Sequence, residues 1–293
     1  MERSAKNILL FSIVFFSPFT KADLPLTVEE LITQKGNMRF DLSLSYANRD
    51  KEDLSLSEPI VIQTGSNSFV TIPTKIGEVK SNYDVLVGTL GLRYGVTRDT
   101  EIYTRTSYMD SSARYSMGSQ KSSDGDSHLL DAWVGVNHQF SYDNDTPAVL
   151  GFFEAAVYEK HQHENASLKS WGAGLTVYRA IDPVVLSTTF AYRWNQERQD
   201  GYLNYKPGNH FLVVPSIAFA VNDRVTLTGG FQWMNRQPDR YEGESSAYRH
   251  TTTDLTFGLG YGISKGNILN TTLKVNASGN NGADLRLNWL YAF

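Results

Sequence analysis

The sequence predicts an all-β chain: a transmembrane antiparallel β-barrel of about twelve strands, with a short N-terminal plug helix. Three observations predict it. Segments of alternating apolar and polar residues recur from residue 38 to the C-terminus, the connectors between them alternate in length, and the chain stops inside the last segment, on Phe293. Composition agrees, because the 16 Tyr, 15 Phe and 23 Gly lie mostly among Ser, Thr and Asn rather than in helical periodicity.

Residues 1–22 read as an export signal. Arg3 and Lys6 supply the positive region, Ile8 to Phe16 the apolar core, and Thr20-Lys21-Ala22 a cleavage site ending on a small residue. The apolar core is far shorter than the roughly 20 residues that a helix needs to cross a bilayer. Removing the signal takes away Arg3, Lys6 and Lys21 against Glu2, so the formal net charge moves from −4 to about −6. That balance argues against a nucleic-acid partner, since phosphate binding needs a basic face. The absence of Cys rules out a disulfide framework and thiolate metal sites.

Residues 23–37 form the plug segment. Thr27 and Glu30 have capping-box spacing, Leu26 and Leu31 are placed for a hydrophobic staple, and Gly36 fits the position just past a C-terminus, so a helix is predicted over 28–35. Two turns are too few to persist alone in water. The helix is therefore expected to dock at the periplasmic mouth, either as a lid that adds only stability or as a plug whose displacement opens a pore.

The barrel is expected over 38–293, with strands at 38–47, 81–96, 100–110, 128–141, 147–160, 168–180, 183–195, 210–221, 224–235, 250–263, 268–277 and 283–293. In 250–263, Leu255, Phe257, Leu259, Tyr261 and Ile263 oppose Asp254, Thr256 and three glycines. Apolar outside and polar inside is the signature of a lipid-embedded barrel, and strands of roughly 9–11 residues suffice to cross. The connectors "VTRD", "YDNDT", "AID", "ND" and "SKGN" are short, while 48–80, 111–127, 196–209 and 236–249 are long. Short periplasmic turns and long external loops explain this alternation, and an even strand count leaves both ends in the periplasm. Within 48–80, "EPIVIQT" and "SFVTIPT" flank "GSN", which predicts an external hairpin that folds above the pore or extends the wall. Pro215 lacks an N–H for the ladder and predicts a bulge or a locally open pair.

With that register Arg39, Asp41, Arg93, Glu154, Arg193, Asp254, Lys274, Asp284 and Arg286 line the lumen. Placing an Arg or Lys on the lipid face instead would cost roughly 2–4 kcal/mol at the midplane. Mixed signs fit either a weakly selective aqueous pore or a network that fills a closed one. The six His are scattered and no nucleophile motif accompanies them, so an enzyme is not expected. Glu159, His161 and His163 share a face of an extended chain and carry ligand chemistry, but His in an exposed loop is more commonly just solvated. No metal or cofactor is expected.

The final strand "ADLRLNWLYAF" resembles the C-terminal strand of bacterial outer-membrane proteins, in which the alternating apolar residues and last aromatic are the label read by the barrel-assembly machinery. That resemblance implies a Gram-negative outer membrane, contact with its lipids, and an assembly signal at Trp289, Tyr291 and Phe293. "LTVEELITQKG" running into "MRFDLSLSYANRD", with "LRYGVTRDTEIYTR" around the first periplasmic turn, resembles the transporter barrels of Fap-type functional-amyloid secretion. Similar wording occurs in a related barrel family associated with phenol-degradation operons. The resemblance implies a twelve-stranded pore, often a homotrimer, that passes unfolded amyloid subunits outward past an internal helix. Those transporters carry a coiled-coil extension ahead of the helix, whereas only Asp23 to Leu26 separate the expected cleavage site from it here. The alternatives are uptake of small hydrophobic compounds and a structural or adhesive barrel acting through its loops.

Overall fold

Twelve antiparallel strands make the wall: β1 (Met38–Lys51), β2 (Lys80–Gly95), β3 (Thr100–Met117), β4 (Gln120–Ser141), β5 (Ala148–His161), β6 (Ser170–Ile181), β7 (Val184–Asn195), β8 (His210–Ala220), β9 (Val225–Arg236), β10 (His250–Ser264), β11 (Asn267–Asn276) and β12 (Gly282–Ala292). Each pairs with its sequence neighbours, and β1 also pairs with β12 from Arg39↔Ala292 to Arg49↔Gly282, so the sheet closes on itself. Closure leaves no edge in the wall, the requirement for crossing lipid with strands. This computed structural model describes residues 32–51, 60–65, 67–72, 80–117, 120–161, 164–278 and 282–293. The expected signal, 1–22, lies outside them, as do Leu26, Thr27, Glu30 and Leu31.

Side-chain alternation sorts the faces. On β10 Leu255, Phe257, Leu259, Tyr261 and Ile263 stand exposed while Thr252 and Asp254 are buried, and the same holds for Leu42, Leu44 and Tyr46 against Ser43, Ser45 and Ala47 on β1. An exposed apolar band around a polar interior is stable only against hydrocarbon. A slip of one residue would send every inward charge to the lipid, so the register is strongly fixed. Aromatic pairs gather toward the two rims of the band: Tyr192 with Trp194 and Phe211 with Trp233 toward the outside, and Trp289, Tyr291 and Phe293 toward the periplasm. Phe293 finishes the seam, since its N–H donates to Met38 O at 3.0 Å and Met38 N–H donates back at 3.1 Å.

The structure corrects four expectations. No helix occurs among the described residues, and the part of 28–35 that is described, 32–35, is a bend and an isolated bridge of Lys35 to Gly95. Asn37 N–H donates to Gln34 O at 3.0 Å with Gly36 at φ +83° between them, so Gly36 serves a tight turn rather than a helix end. Tertiary bonding captured this short segment: Thr33 N–H donates to the buried Glu101 carboxylate at 2.7 Å and Gly36 N–H to Gly95 O at 2.8 Å. Its backbone passes so close that a Cβ on Gly95 would lie 2.2 Å from Gln34 O.

Second, 111–127 is not a loop, because β3 and β4 continue as a paired ribbon to Met117 and Gln120. Third, 196–209 and 236–249 contain a small sheet of Arg198–Asp200, Leu203–Lys206, Arg240–Tyr241 and Glu244–Ser245 over the external mouth. Fourth, the hairpin Ile60–Gln63 and Phe69–Ile72 folds into the lumen rather than above it. At Pro215 the pairing of β8 with β9 stops after Val213↔Trp233 and resumes at Ser216↔Gly230 without a shift in register, so the pair is locally open and unbulged.

Candidate pore and its hairpin plug

The hairpin spans the interior. Ile62, Val70 and Ile72 are fully buried against Ala47, Val85, Val87, Met109 and Leu130 on the inner faces of β1 to β4, while Val61 and Phe69 pack against Phe152, Ala191, Leu212 and Met234 on β5, β7, β8 and β9. This explains why β2 departs from polar-inside: Val85 and Val87 face inward because they meet the plug. The two hairpin strands have apolar side chains on both faces, as a strand buried on both sides requires.

Three cations hold the hairpin by its carbonyls. Lys274 Nζ donates to Val61 O at 3.1 Å, Arg286 Nη1 to Gln63 O at 3.0 Å and Gly65 O at 3.4 Å, and Arg105 Nη2 to Phe69 O at 3.3 Å. Thr176 adds a contact to Asn67 at 3.4 Å. Lys274 is neutralised by Asp284 at 2.8 Å and Asp254 at 3.6 Å, and Arg105 by Glu154 at 3.1 Å. Arg286 differs: its remaining contact is Thr272 Oγ1 at 3.3 Å, and among the described residues no carboxylate lies within 4.0 Å of it.

The other inward charges expected from the sequence form separate groups. Asp41 accepts from Asn288 at 2.5 Å and faces Arg93 at 3.5 Å, and Arg93 reaches Glu101 at 3.0 Å. Arg193 pairs with Glu159 at 2.8 Å, and Arg39 is buried. Glu101, Arg105, Asp131 and Arg198 also face inward and were not singled out from the sequence, and Glu159, singled out only as a metal-ligand candidate, faces inward as well. Glu101 and Arg105 share the parity of Tyr103 on β3, which was the available signal. Glu159 had none. The pairing skips Val157 between Ala156 and Tyr158, and this bulge turns Glu159 and His161 to the same side as Glu154.

His161 therefore stacks on Tyr205 at 4.1 Å under the external sheet, not in an exposed loop, and Glu159 is held by Arg193 and Arg198; His163 lies outside the described residues. Burial and Asp239 push the Tyr205 hydroxyl well above its ordinary pKa.

Beside and below the hairpin tip a cavity of about 210 Å³ opens in the periplasmic half, on the side of β6 to β12. Thr176, Ser187, Thr189, Ser216, Thr228, Thr256 and Thr272 supply hydroxyls, Asn270 and Asn288 amides, and Arg286 its charge. The small residues Thr228 of β9 and Thr256, Gly258 and Gly260 of β10 line this space. The interior thus has an obstructed outer half and a hydroxyl-lined inner vestibule, separated by a docked hairpin.

No known family model and no curated protein matches the sequence. Among solved structures the chain is similar to an outer-membrane channel of Pseudomonas putida F1, at 11% identity, with 94% of this chain and 99% of that one covered and a TM-score of 0.63. It is also similar to the transport unit of the autotransporter AIDA-I from Escherichia coli, at 9% identity, 90% and 93% coverage and a TM-score of 0.54. The NanC porin follows at 12% identity, 86% and 98% coverage and a TM-score of 0.50. The fold is that of outer-membrane β-barrels.

Proposed function

We propose that this chain is an outer-membrane channel for small polar solutes, held shut by the lumenal hairpin 60–72. The observation that carries the reading is the clamp of Lys274, Arg286 and Arg105 on the hairpin backbone, beside a vestibule already lined by hydroxyls and amides. Backbone carbonyls held by side-chain cations form a releasable contact, because each such hydrogen bond contributes only about 1.5–3 kcal/mol net and no covalent link is made. Mixed interior charge favours solutes that hydrogen-bond over those that are merely apolar. The proposal moves the gate from the expected N-terminal helix to the first external connection.

Export of an unfolded amyloid subunit would need the whole hairpin expelled, whereas a small solute needs only its displacement. Lateral uptake of hydrophobic compounds would need a gap in the wall, and at the open pair Pro215 O lies 2.5 Å from where a Cβ on Gly230 would be. The polar-solute reading is therefore favoured over both. The terminal face of Trp289, Tyr291 and Phe293 is proposed as the contact for barrel assembly.

Planar-bilayer recordings test the reading. The mature protein should give rare, brief steps, and a variant with residues 60–72 replaced by a short Gly-Ser bridge should give large, stable ones. A variant lacking 23–36 should resemble the parent. Silence in the hairpin variant, with folding shown by heat-modifiable gel mobility, would remove the channel; large steps only in the 23–36 variant would return the gate to the N-terminal segment.

A further inference from the structure

Under the external sheet, in the outer half of the lumen, a small pocket of about 50 Å³ is lined by residues that include Asp131, Glu159, Arg193, Arg198, His210 and Arg236. Its unusual feature is a set of polar atoms without partners. Among the described residues, Nε and Nη1 of Arg193 and Nη1 of Arg236 have no hydrogen-bond acceptor, although these residues are only 8% and 6% exposed. Buried polar groups are ordinarily satisfied, so unmet guanidinium N–H groups converging on one pocket point to an absent acceptor.

The orientation of the donors is built. Arg193 lies 4.2 Å over the Trp133 ring, which occupies its face, and Glu159 takes its Nη2 at 2.8 Å, so Nε and Nη1 are left for an acceptor in the pocket it lines. Trp133 is itself fixed, with its indole N–H donating to Asp131 at 2.9 Å and Arg105 at 4.9 Å from its ring. Arg236 is anchored through Nη2 to Asp239 at 2.5 Å, which leaves Nη1 for the pocket. Arg198 spends its donors on Glu159 at 3.0 Å and Ser170 at 2.8 Å and contributes charge only.

We propose that this pocket binds a monocarboxylate. The free N–H groups of Arg193 and Arg236 can each take an oxygen of the planar carboxylate. Three guanidinium groups meet two carboxylates on the lining. The unpartnered Oδ1 of Asp131 sets a repulsive boundary against a second negative charge, which disfavours dianions. The volume suits a carboxylate group, either a small free acid or the acidic end of a longer solute entering from outside. The site stands on its own geometry; only its role, as the first stop for a permeating acid, rests on the channel reading.

The test is isothermal titration calorimetry on the folded protein in detergent, with sodium acetate against sodium chloride at matched ionic strength and neutral pH. Acetate should bind saturably, with an affinity on the order of millimolar, and succinate several-fold more weakly. Arg236→Gln and Arg193→Gln, the latter leaving Glu159 paired with Arg198 at 3.0 Å, should each weaken acetate at least tenfold; heat-modifiable mobility reports that each has folded. Propionate and a longer monocarboxylate distinguish a free small acid from an acidic end, the longer chain binding equally only if the pocket opens outward. Equal heats from chloride and acetate, or acetate binding unchanged in both variants, would overturn the site. Because binding is read without a membrane, a silent bilayer beside a positive titration would fault the channel, and conduction without binding would fault the site.

Discussion

Arg286→Gln is the perturbation that isolates the clamp. Lys274 and Arg105 each neutralise carboxylates, so removing either would strand a buried charge and confuse release of the hairpin with damage to the wall. Arg286 makes one good bond to the hairpin, 3.0 Å to Gln63 O, and a long one, 3.4 Å to Gly65 O. A hydrogen bond from a charged donor contributes about 1.5–3 kcal/mol, and Gln restores part of it, leaving a net loss of about 1–2 kcal/mol. That corresponds to roughly a 5–30-fold rise in the undocked population.

The hairpin will still be docked most of the time. Val61, Ile62, Phe69, Val70 and Ile72 are buried, and each such side chain contributes about 1.5–3 kcal/mol as an upper figure. In single-channel recordings the substitution should therefore raise the frequency of opening by about that factor. An unchanged frequency, whatever the step size, would refute the reasoning, because Arg286 would then only line the vestibule and not clamp the hairpin. Unchanged recordings, where the hairpin deletion conducts, would refute it as well.

Ile62→Asn should shift the same equilibrium further, because it places an amide in a fully buried apolar cluster; a loss on the order of 3 kcal/mol should give frequent openings and a barrel that still migrates as folded. Glu101→Ala removes the acceptor of Thr33 N–H, Asn137 and Arg93, and should lower the temperature of gel-mobility conversion while freeing residues 32–37 to proteolysis from the periplasmic side. Gly135→Leu should block assembly, because even a Cβ there would sit 2.4 Å from the Tyr103 ring; normal folding yield would show that the ring moves aside. For the external sheet, a Tyr205 hydroxyl with its pKa raised on folding makes a contribution that is complete below the free-tyrosine value of 10.0 and is lost as pH rises above it. Phenolate absorbance of a Tyr205→Phe difference sample should stay silent at pH 10 to 11 until the sheet opens, and ionisation at the ordinary pH would contradict the burial.

The wall was legible in the sequence because period-two alternation is a local property: Leu255 to Ile263 against Asp254 and Thr256 states both the strand and its faces. Turn lengths then ordered the strands. The interior was legible only in outline. Nothing in "EPIVIQTGSNSFVTIPT" states whether a doubly apolar hairpin lies over the pore or inside it, since that depends on Leu212 and Met234 more than a hundred residues away. The capping pattern of Thr27 and Glu30 was a true local signal, yet over 32–35 it lost to the bonds that Glu101 and Gly95 offer. The β5 bulge reassigned Glu159 and His161 with no residue to announce it.

The hairpin belongs to the first connection of the barrel, but two of its three clamps come from β11 and β12. Lys274 lies 213 positions from Val61 and Arg286 lies 223 from Gln63. Contacts so distant along the chain are slow to form, because loop-closure entropy is lost before they reward it. Plug and seam are therefore completed in one event: the strands that zip against β1 to seal the cylinder also bring the cations that fasten what is inside it. During biogenesis the half-built sheet must carry an unfastened hairpin, and a nascent barrel would be leaky until its final strand arrives.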